Sequence, residues 1–191
     1  MAPSLPLVLI GPMAAGKTTL ARALSVRLGL PYAPLDWVAF SPMVLDGFDV
    51  RVYEEAETWA DKHALRLPHL LPAVRAVLRD FGEYILDFGA GHAHFDEEEE
   101  REELAALLAP LPNVIRVLPA ADPDAAVRIC VERDQERWRR AGYDWDASRA
   151  EWHDRYVRSA CFRQVAKRTV ITGGRSVADC VEEIVAGLHD A

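Results

Sequence analysis

Eight consecutive residues constrain this chain more than any others: Gly11, Pro12, Met13, Ala14, Ala15, Gly16, Lys17 and Thr18. They follow a continuous apolar run over residues 5–10. They precede Leu20, Ala21, Ala23, Leu24 and Leu28, which recur at helical spacing up to Gly29. A buried parallel strand running into a turn and then a helix is the setting in which such a turn wraps a phosphate. Gly11 and Gly16 let backbone amides point inward, and the helix N-terminus adds its positive end. Lys17 is then placed to reach the β- and γ-phosphates of a nucleotide, Thr18 to ligate Mg²⁺, and Thr19 to close the cradle. ATP and Mg²⁺ are the expected cofactors.

The rest of the chain alternates strand and helix. Strands are expected over residues 5–10, 31–35, 84–88, 114–118 and 169–172. Helices are expected over 17–28, 97–108 and 147–156. A pair at 51–64 and 70–80 is expected to be divided around Pro68 and Pro72. Asp122 and Pro123 open a long Arg-rich helix as N-cap and first helical residue, and Ser176 caps a final helix to about residue 188. Residues 37–50 read as irregular or partly helical. Asp96 and the glutamates that follow it read as the solvated face of a helix start. This alternation demands an α/β fold: a five-stranded, mostly parallel sheet between two helical layers, as one domain over residues 1–191.

Composition narrows the partners. A net charge of −8 repels a nucleic-acid backbone, so no nucleic-acid partner is expected. No run of about 18 apolar residues exists, so no membrane span is expected either. Cys130, Cys161 and Cys180 form no CxxC pair and read as reduced, packed thiols of a cytoplasmic protein, monomer or homodimer.

The stretch from Leu7 to Asp36 resembles the opening of the shikimate kinase branch of P-loop enzymes. The shared features are Gly11 to Thr18, Leu24, the run Leu28-Gly29-Leu30-Pro31-Tyr32, and Asp36. Members of that family carry two acids one residue apart after the second strand; here Pro34 replaces the first. The resemblance implies a P-loop kinase fold with a helical lid. It also implies that Asp36 contacts acceptor hydroxyls and helps accept a proton, and that the loop Gly89-Ala90-Gly91-His92 after the third strand touches substrate. Arg158, four residues before Phe162 and followed by Val165-Ala166, matches the family arginine that binds an acidic substrate. The turn Gly173-Gly174-Arg175-Ser176 falls where the family closes over adenine. The family's Phe-Arg-x-x-Glu element has no match in residues 48–80, so the acceptor pocket departs from the family's.

Other residues are read from their own chemistry. Asp87 ends the third strand, where a carboxylate either ligates Mg²⁺ through water or only holds the loop. His92 and His94 read as solvated loop histidines, with a substrate hydrogen bond from His92 as the alternative. Arg133, Arg137, Arg139 and Arg140 sit in a lid of about residues 133–146, where guanidiniums clamp ATP or neutralise a transferring phosphoryl group. Arg133 suits the adenine side; Arg137 and Arg140 are the catalytic candidates. Trp138, Tyr143 and Trp145 either pack this lid or form a substrate wall. Residues 37–80 are the expected acceptor-binding region, and Trp37, Phe40, Tyr53 and Trp59 leave room for an aromatic pocket. The expected activity is transfer of the ATP γ-phosphoryl group to a hydroxyl of a small metabolite. The alternatives are a nucleoside or nucleotide kinase and a non-catalytic nucleotide-binding switch.

Overall fold

A computed structural model describes residues 5–188. Five strands form one parallel sheet: β1 (Leu7–Ile10), β2 (Tyr32–Pro34), β3 (Ile85–Asp87), β4 (Val114–Leu118) and β5 (Arg168–Ile171), in the order β2-β3-β1-β4-β5. All four residues of β1 are buried, which explains its unbroken apolar sequence. Alternation sends Val8 and Ile10 into one core and Leu7 and Leu9 into another.

Helix α1 (Lys17–Leu28) fills the second core with Leu20, Ala21 and Leu24, and ends at Gly29 in left-handed geometry. On the other face three short helices follow β2: α2 (Leu35–Val38), α3 (Phe40–Leu45) and α4 (Val50–Glu55). Next come α5 (Trp59–Asp80), α6 (Glu98–Leu108), α7 (Pro123–Arg140), α8 (Arg149–Val157), α9 (Ala160–Val165) and α10 (Val177–Ala186). Asp122 accepts from the Ala125 amide and Ser176 from the Asp179 amide, so both expected caps form. Helices α1 and α10 cover one face of the sheet, while α5, α6 and α9 cover the other.

The expected pair of helices at 51–64 and 70–80 is replaced by the short α4 and one continuous 22-residue α5, with Pro68 and Pro72 inside it. Each interior proline costs roughly 3 kcal/mol. Burial of Leu70, Leu71, Val74 and Val77 returns roughly 1.5–3 kcal/mol apiece, which outweighs that cost. Among the described residues, no helix is long and apolar enough to cross a membrane. The three cysteines are free and buried, as expected.

Candidate functional site

The turn from β1 to α1 takes the backbone path its glycines allow. Gly11 has φ 137° and Gly16 φ 103°, and Ala14 also adopts positive φ, at 60°. A Cβ on Gly11 would press into the Val117 carbonyl, so β4 approaches the loop too closely for any other residue. The Lys17 ammonium is buried inside the loop and donates to the carbonyls of Gly11 (2.9 Å) and Pro12 (2.8 Å). Burial pushes its pKa down, opposed by the charges of Asp87 and Asp36. Thr18 Oγ1 donates to Asp87 Oδ2 at 2.6 Å. Burial raises the Asp87 pKa, opposed by Lys17 and by this hydrogen bond. Asp87 therefore holds the loop through the Thr18 hydroxyl, which brings two oxygen atoms together beside Lys17.

A cavity of about 420 Å³ opens over residues 14–20. Arg133 and Arg137 of α7 line one side, and Thr172, Arg175, Ser176 and Val177 the other. Arg133 donates to the Ala14 carbonyl (3.3 Å), and Thr172 donates to that of Ala15 (3.3 Å), so α7 and the end of β5 both brace the loop. Among the cavity's lining, Leu20, Val177 and Cys180 are apolar and suit a base, while the cations suit phosphates. Of the turn at 173–176, Arg175 and Ser176 line this cavity.

A second cavity, of about 260 Å³, lies over α2–α5 and contains Asp36. Asp36 is in the first turn of α2 and leans over the loop after β3; a Cβ on Gly89 would meet its carboxylate. Residues 90–93 form a 3₁₀ turn that carries His92 inward. His92 is 1% exposed, which overturns its reading as a solvated histidine; His94, at 8%, is buried as well. The loop folds back onto α5, and Arg66 Nη2 meets His92 Nε2 at 3.2 Å. The other ring nitrogen, Nδ1, lies 3.6 Å from Asp36 Oδ1. Arg66 also reaches Asp36 at 3.8 Å. Burial lowers the His92 pKa to about 4, so the imidazole is neutral between a carboxylate and a guanidinium. Phe40, Tyr53 and Trp59 line this cavity, whereas Trp37 points outward, 79% exposed.

Gly89, Ala90, Gly91 and His92, expected to touch substrate, line neither cavity, and Arg158 and Arg140 lie farther off. Arg158 is half-exposed and paired with Asp154 (2.8 Å) and Asp124, and it lines neither cavity. It caps the C-terminal end of α8, where nearby acids of α7 and α8 satisfy it. Arg140 pairs with Glu136 one turn back at 2.7 Å, as does Arg139, and both side chains are exposed. Helical i,i+3 and i,i+4 spacing favours that pairing over any reach to the nucleotide loop. Of the expected catalytic arginines, only Arg137 faces the cavity.

Sequence reasoning missed a buried cluster behind Arg137. Asp134 is fully buried and receives Arg137 Nη2 (2.6 Å), Arg149 Nε (2.9 Å), Trp145 Nε1 (3.3 Å) and His153 Nε2 (3.1 Å). Burial pushes its pKa up, but the hydrogen bonds from His153 and Arg149 and the charges of Arg149 and Arg137 outweigh this and hold it well below the carboxylate range. Arg149 lies 4.6 Å from the Trp59 ring centre and 4.9 Å from that of Trp138, and reaches Met13 Sδ. Trp138 also packs edge-on to Tyr143, so these aromatics pack α7 and its following turn. Arg66 was missed too. The only available signal for it was the aromatic density of residues 37–59, which says where a pocket forms but not which cation enters it.

No protein-family model and no curated protein matches this chain. Solved structures do. A shikimate kinase from Acinetobacter baumannii, in complex with shikimate, aligns with a TM-score of 0.64 at 19% identity, over 94% of this chain and 89% of that one. A shikimate kinase from Bacteroides thetaiotaomicron aligns at 0.55 and 16% identity, over 95% and 97%. A sugar kinase from Janibacter sp. HTCC2649 aligns at 0.51 and 16%, over 94% and 91%. The chain has the shikimate kinase-like P-loop fold.

Proposed function

We propose that this chain is an ATP-dependent phosphotransferase that moves the γ-phosphoryl group of ATP to a hydroxyl of a small molecule. One observation carries this reading: Asp36, in a cavity of its own, lies within electrostatic reach of Lys17 in the phosphate loop. A nucleotide-binding switch has no need of a second cavity with a carboxylate near the Lys17 ammonium.

Thr18 and Asp87 would hold Mg²⁺, which supplies charge neutralisation on the phosphate oxygens when bound. Lys17 exchanges its two loop carbonyls for phosphate oxygens. Asp36 accepts a hydrogen bond from the acceptor hydroxyl and aims that oxygen along the line of transfer. Arg133 and Arg137 contribute fixed positive charge, and residues 133–146 act as a lid that excludes water. Residues 37–80 form the acceptor side, and the turn at 89–92 supports it from behind through the contacts of His92 with Asp36 and Arg66. Phosphoryl transfer depends mainly on positioning and electrostatics, so this small set suffices.

The test is ADP release over hydroxy acids, sugars, nucleosides and arylalkanols, followed by two variants. Lys17→Ala is expected to abolish turnover. Asp36→Asn is expected to lower kcat by roughly 10²-fold or more while MgADP affinity stays near wild type. Equal losses of turnover and nucleotide affinity in Asp36→Asn would instead assign Asp36 to the nucleotide side and sink this arrangement.

A further inference from the structure

The second cavity is unusual for a site that accepts a hydroxyl group. Six of its lining residues, Ala39, Phe40, Met43, Phe48, Tyr53 and Trp59, present mainly carbon or aromatic surface, with the Tyr53 hydroxyl and the unpaired Trp59 indole N–H as their only polar side-chain atoms apart from the Met43 sulfur. Its only charged residues are Asp36 and Arg66, which lie together at one end. The lining holds no Asn, Gln, Ser or Thr side chain.

The apolar wall is also pre-built. Phe48 is buried and meets Phe40 edge-on at 6.0 Å, Tyr53 at 5.4 Å and His69 at 5.7 Å, so its ring is fixed from three sides. Aromatic pairs in these geometries hold one another in place. Met43 is also buried against this cluster and adds an adaptable apolar surface.

Charge and polarity then decide what fits. The Asp36 carboxylate and Arg66 guanidinium balance each other at 3.8 Å, and the third group, His92, is neutral beside them. A second formal charge has no counterpart. A polyol would bury several hydroxyls against carbon, and each unpaired hydroxyl costs roughly tenfold or more in affinity. A nucleobase would meet ring surface but find no amide to pair its edge. A single ring with a short hydroxyl-bearing chain matches the apolar walls and the one carboxylate: the ring against Phe48 and Trp59, the hydroxyl on Asp36. A cavity of 260 Å³ lies just below the usual range for ligand sites and suits such a compound.

Building on the kinase reading above, we infer that the acceptor is a neutral arylalkanol, an aromatic or similarly apolar body bearing one reacting hydroxyl, and not a polyol, an anionic hydroxy acid or a nucleoside. The γ-phosphoryl group leaves ATP as its bond to the β-phosphate oxygen breaks, ADP departs with that oxygen, the phosphorus bonds to the alcohol oxygen, and the alcohol proton goes to Asp36 or to water.

The test uses wild-type protein with MgATP and 2-phenylethanol or 3-phenylpropan-1-ol, against glycerol, glucose, gluconate, shikimate and uridine. ADP release is read by coupled assay, and binding by tryptophan fluorescence in MgADP. The arylalkanols are expected to turn over with KM at least tenfold below any polyol. Phe48→Ala is expected to raise that KM roughly tenfold with a smaller change in kcat, and Phe48→Leu to recover part of it; MgADP calorimetry reports that both variants are folded. A polyol, hydroxy acid or nucleoside as the best acceptor overturns the acceptor class and leaves the kinase reading standing. Arylalkanols that bind by fluorescence when no compound in the panel turns over overturn the kinase reading and leave standing only the kind of ligand the cavity takes. No binding and no turnover with the arylalkanols overturns the acceptor class.

Discussion

Gly11 and Gly16 sit in the same loop, but they answer to different constraints. Gly16 has φ 103° and open space around a would-be Cβ, so Gly16→Ala meets backbone strain alone. Gly11 has φ 137° and no room against Val117, so Gly11→Ala adds a clash with strand β4. Gly16→Ala is expected to cost about 1 kcal/mol and Gly11→Ala clearly more, read by urea unfolding. Equal losses would mean that the approach of β4 does not matter. His92 is the other residue whose environment sets a measurable property. Its pKa is about 4 in the folded chain against an ordinary 6.5. Between those values the unfolded chain binds a proton that the folded chain refuses, so stability is present above the upper value and falls on acidification. Partly buried His63, also lowered to about 4, adds to the same slope. The loss in urea midpoint between about pH 7 and about pH 5 is therefore expected to shrink in His92→Gln. An unchanged slope would mean that the ring is hydrated after all. The burial of His92 was not legible in the sequence, because Gly89-Ala90-Gly91 reads equally well as an open loop. Only its docking on Arg66 of α5, a contact 26 residues distant in sequence, turns the ring inward.

At the scale of elements, α7 and α8 are tied by Asp134. One buried carboxylate answers buried Arg149 and His153 on α8 as well as Arg137 on its own helix. Asp134→Ala strands the Arg149 guanidinium between two tryptophans without its counter-charge. Breaking a buried pair this way costs roughly 3–5 kcal/mol, or a fall of about 6–20 °C in Tm for a chain of this size. The double variant Asp134→Leu/Arg149→Met is expected to recover most of that loss in a thermal melt, because it removes both charges together. If the double variant is as unstable as Asp134→Ala, hydrogen bonding to His153 and Trp145 is the larger contribution. Helix α7 itself was readable from Asp122-Pro123 and its arginines. The role of its arginines was not, because spacing alone could not say that Glu136 would take Arg139 and Arg140 while Arg133 and Arg137 faced the phosphate loop. Helix α5 was misread for a related reason: Pro68 and Pro72 are local signals, and the burial that overrides them is tertiary.

For the molecule as a whole, the parallel order β2-β3-β1-β4-β5 puts the carboxyl ends of β1, β2 and β3 side by side. The phosphate loop, Asp36 and Asp87 follow those three ends, so the sheet assembles the site from segments up to 76 residues apart in the chain. Strands β1, β3 and β4 were legible because burial on both faces writes itself as apolar runs, whereas the edge strands β2 and β5 are only partly buried and were placed by the alternation of elements. The second cavity was legible only as aromatic density, since its shape depends on how α2 to α5 pack. The same architecture sets a cluster of cations, Lys17, Arg133, Arg137 and Arg175, in a chain of net charge −8. That cluster favours an anion over the rest of the acidic surface, and beside it the Asp87 charge is opposed by Lys17 and Arg22 and by the hydrogen bond from Thr18. MgADP at about 100 times its Kd is expected to stabilise the fold by about 2.7 kcal/mol, a rise of about 5–11 °C in Tm. Adding EDTA at constant ADP is expected to remove most of that rise, because ADP then meets the Asp87 carboxylate without an intervening cation. Lys17→Ala is expected to lose the rise in either condition. A Tm shift that survives EDTA intact would show that Thr18 and Asp87 hold no metal, and that their 2.6 Å hydrogen bond serves only to fix the loop.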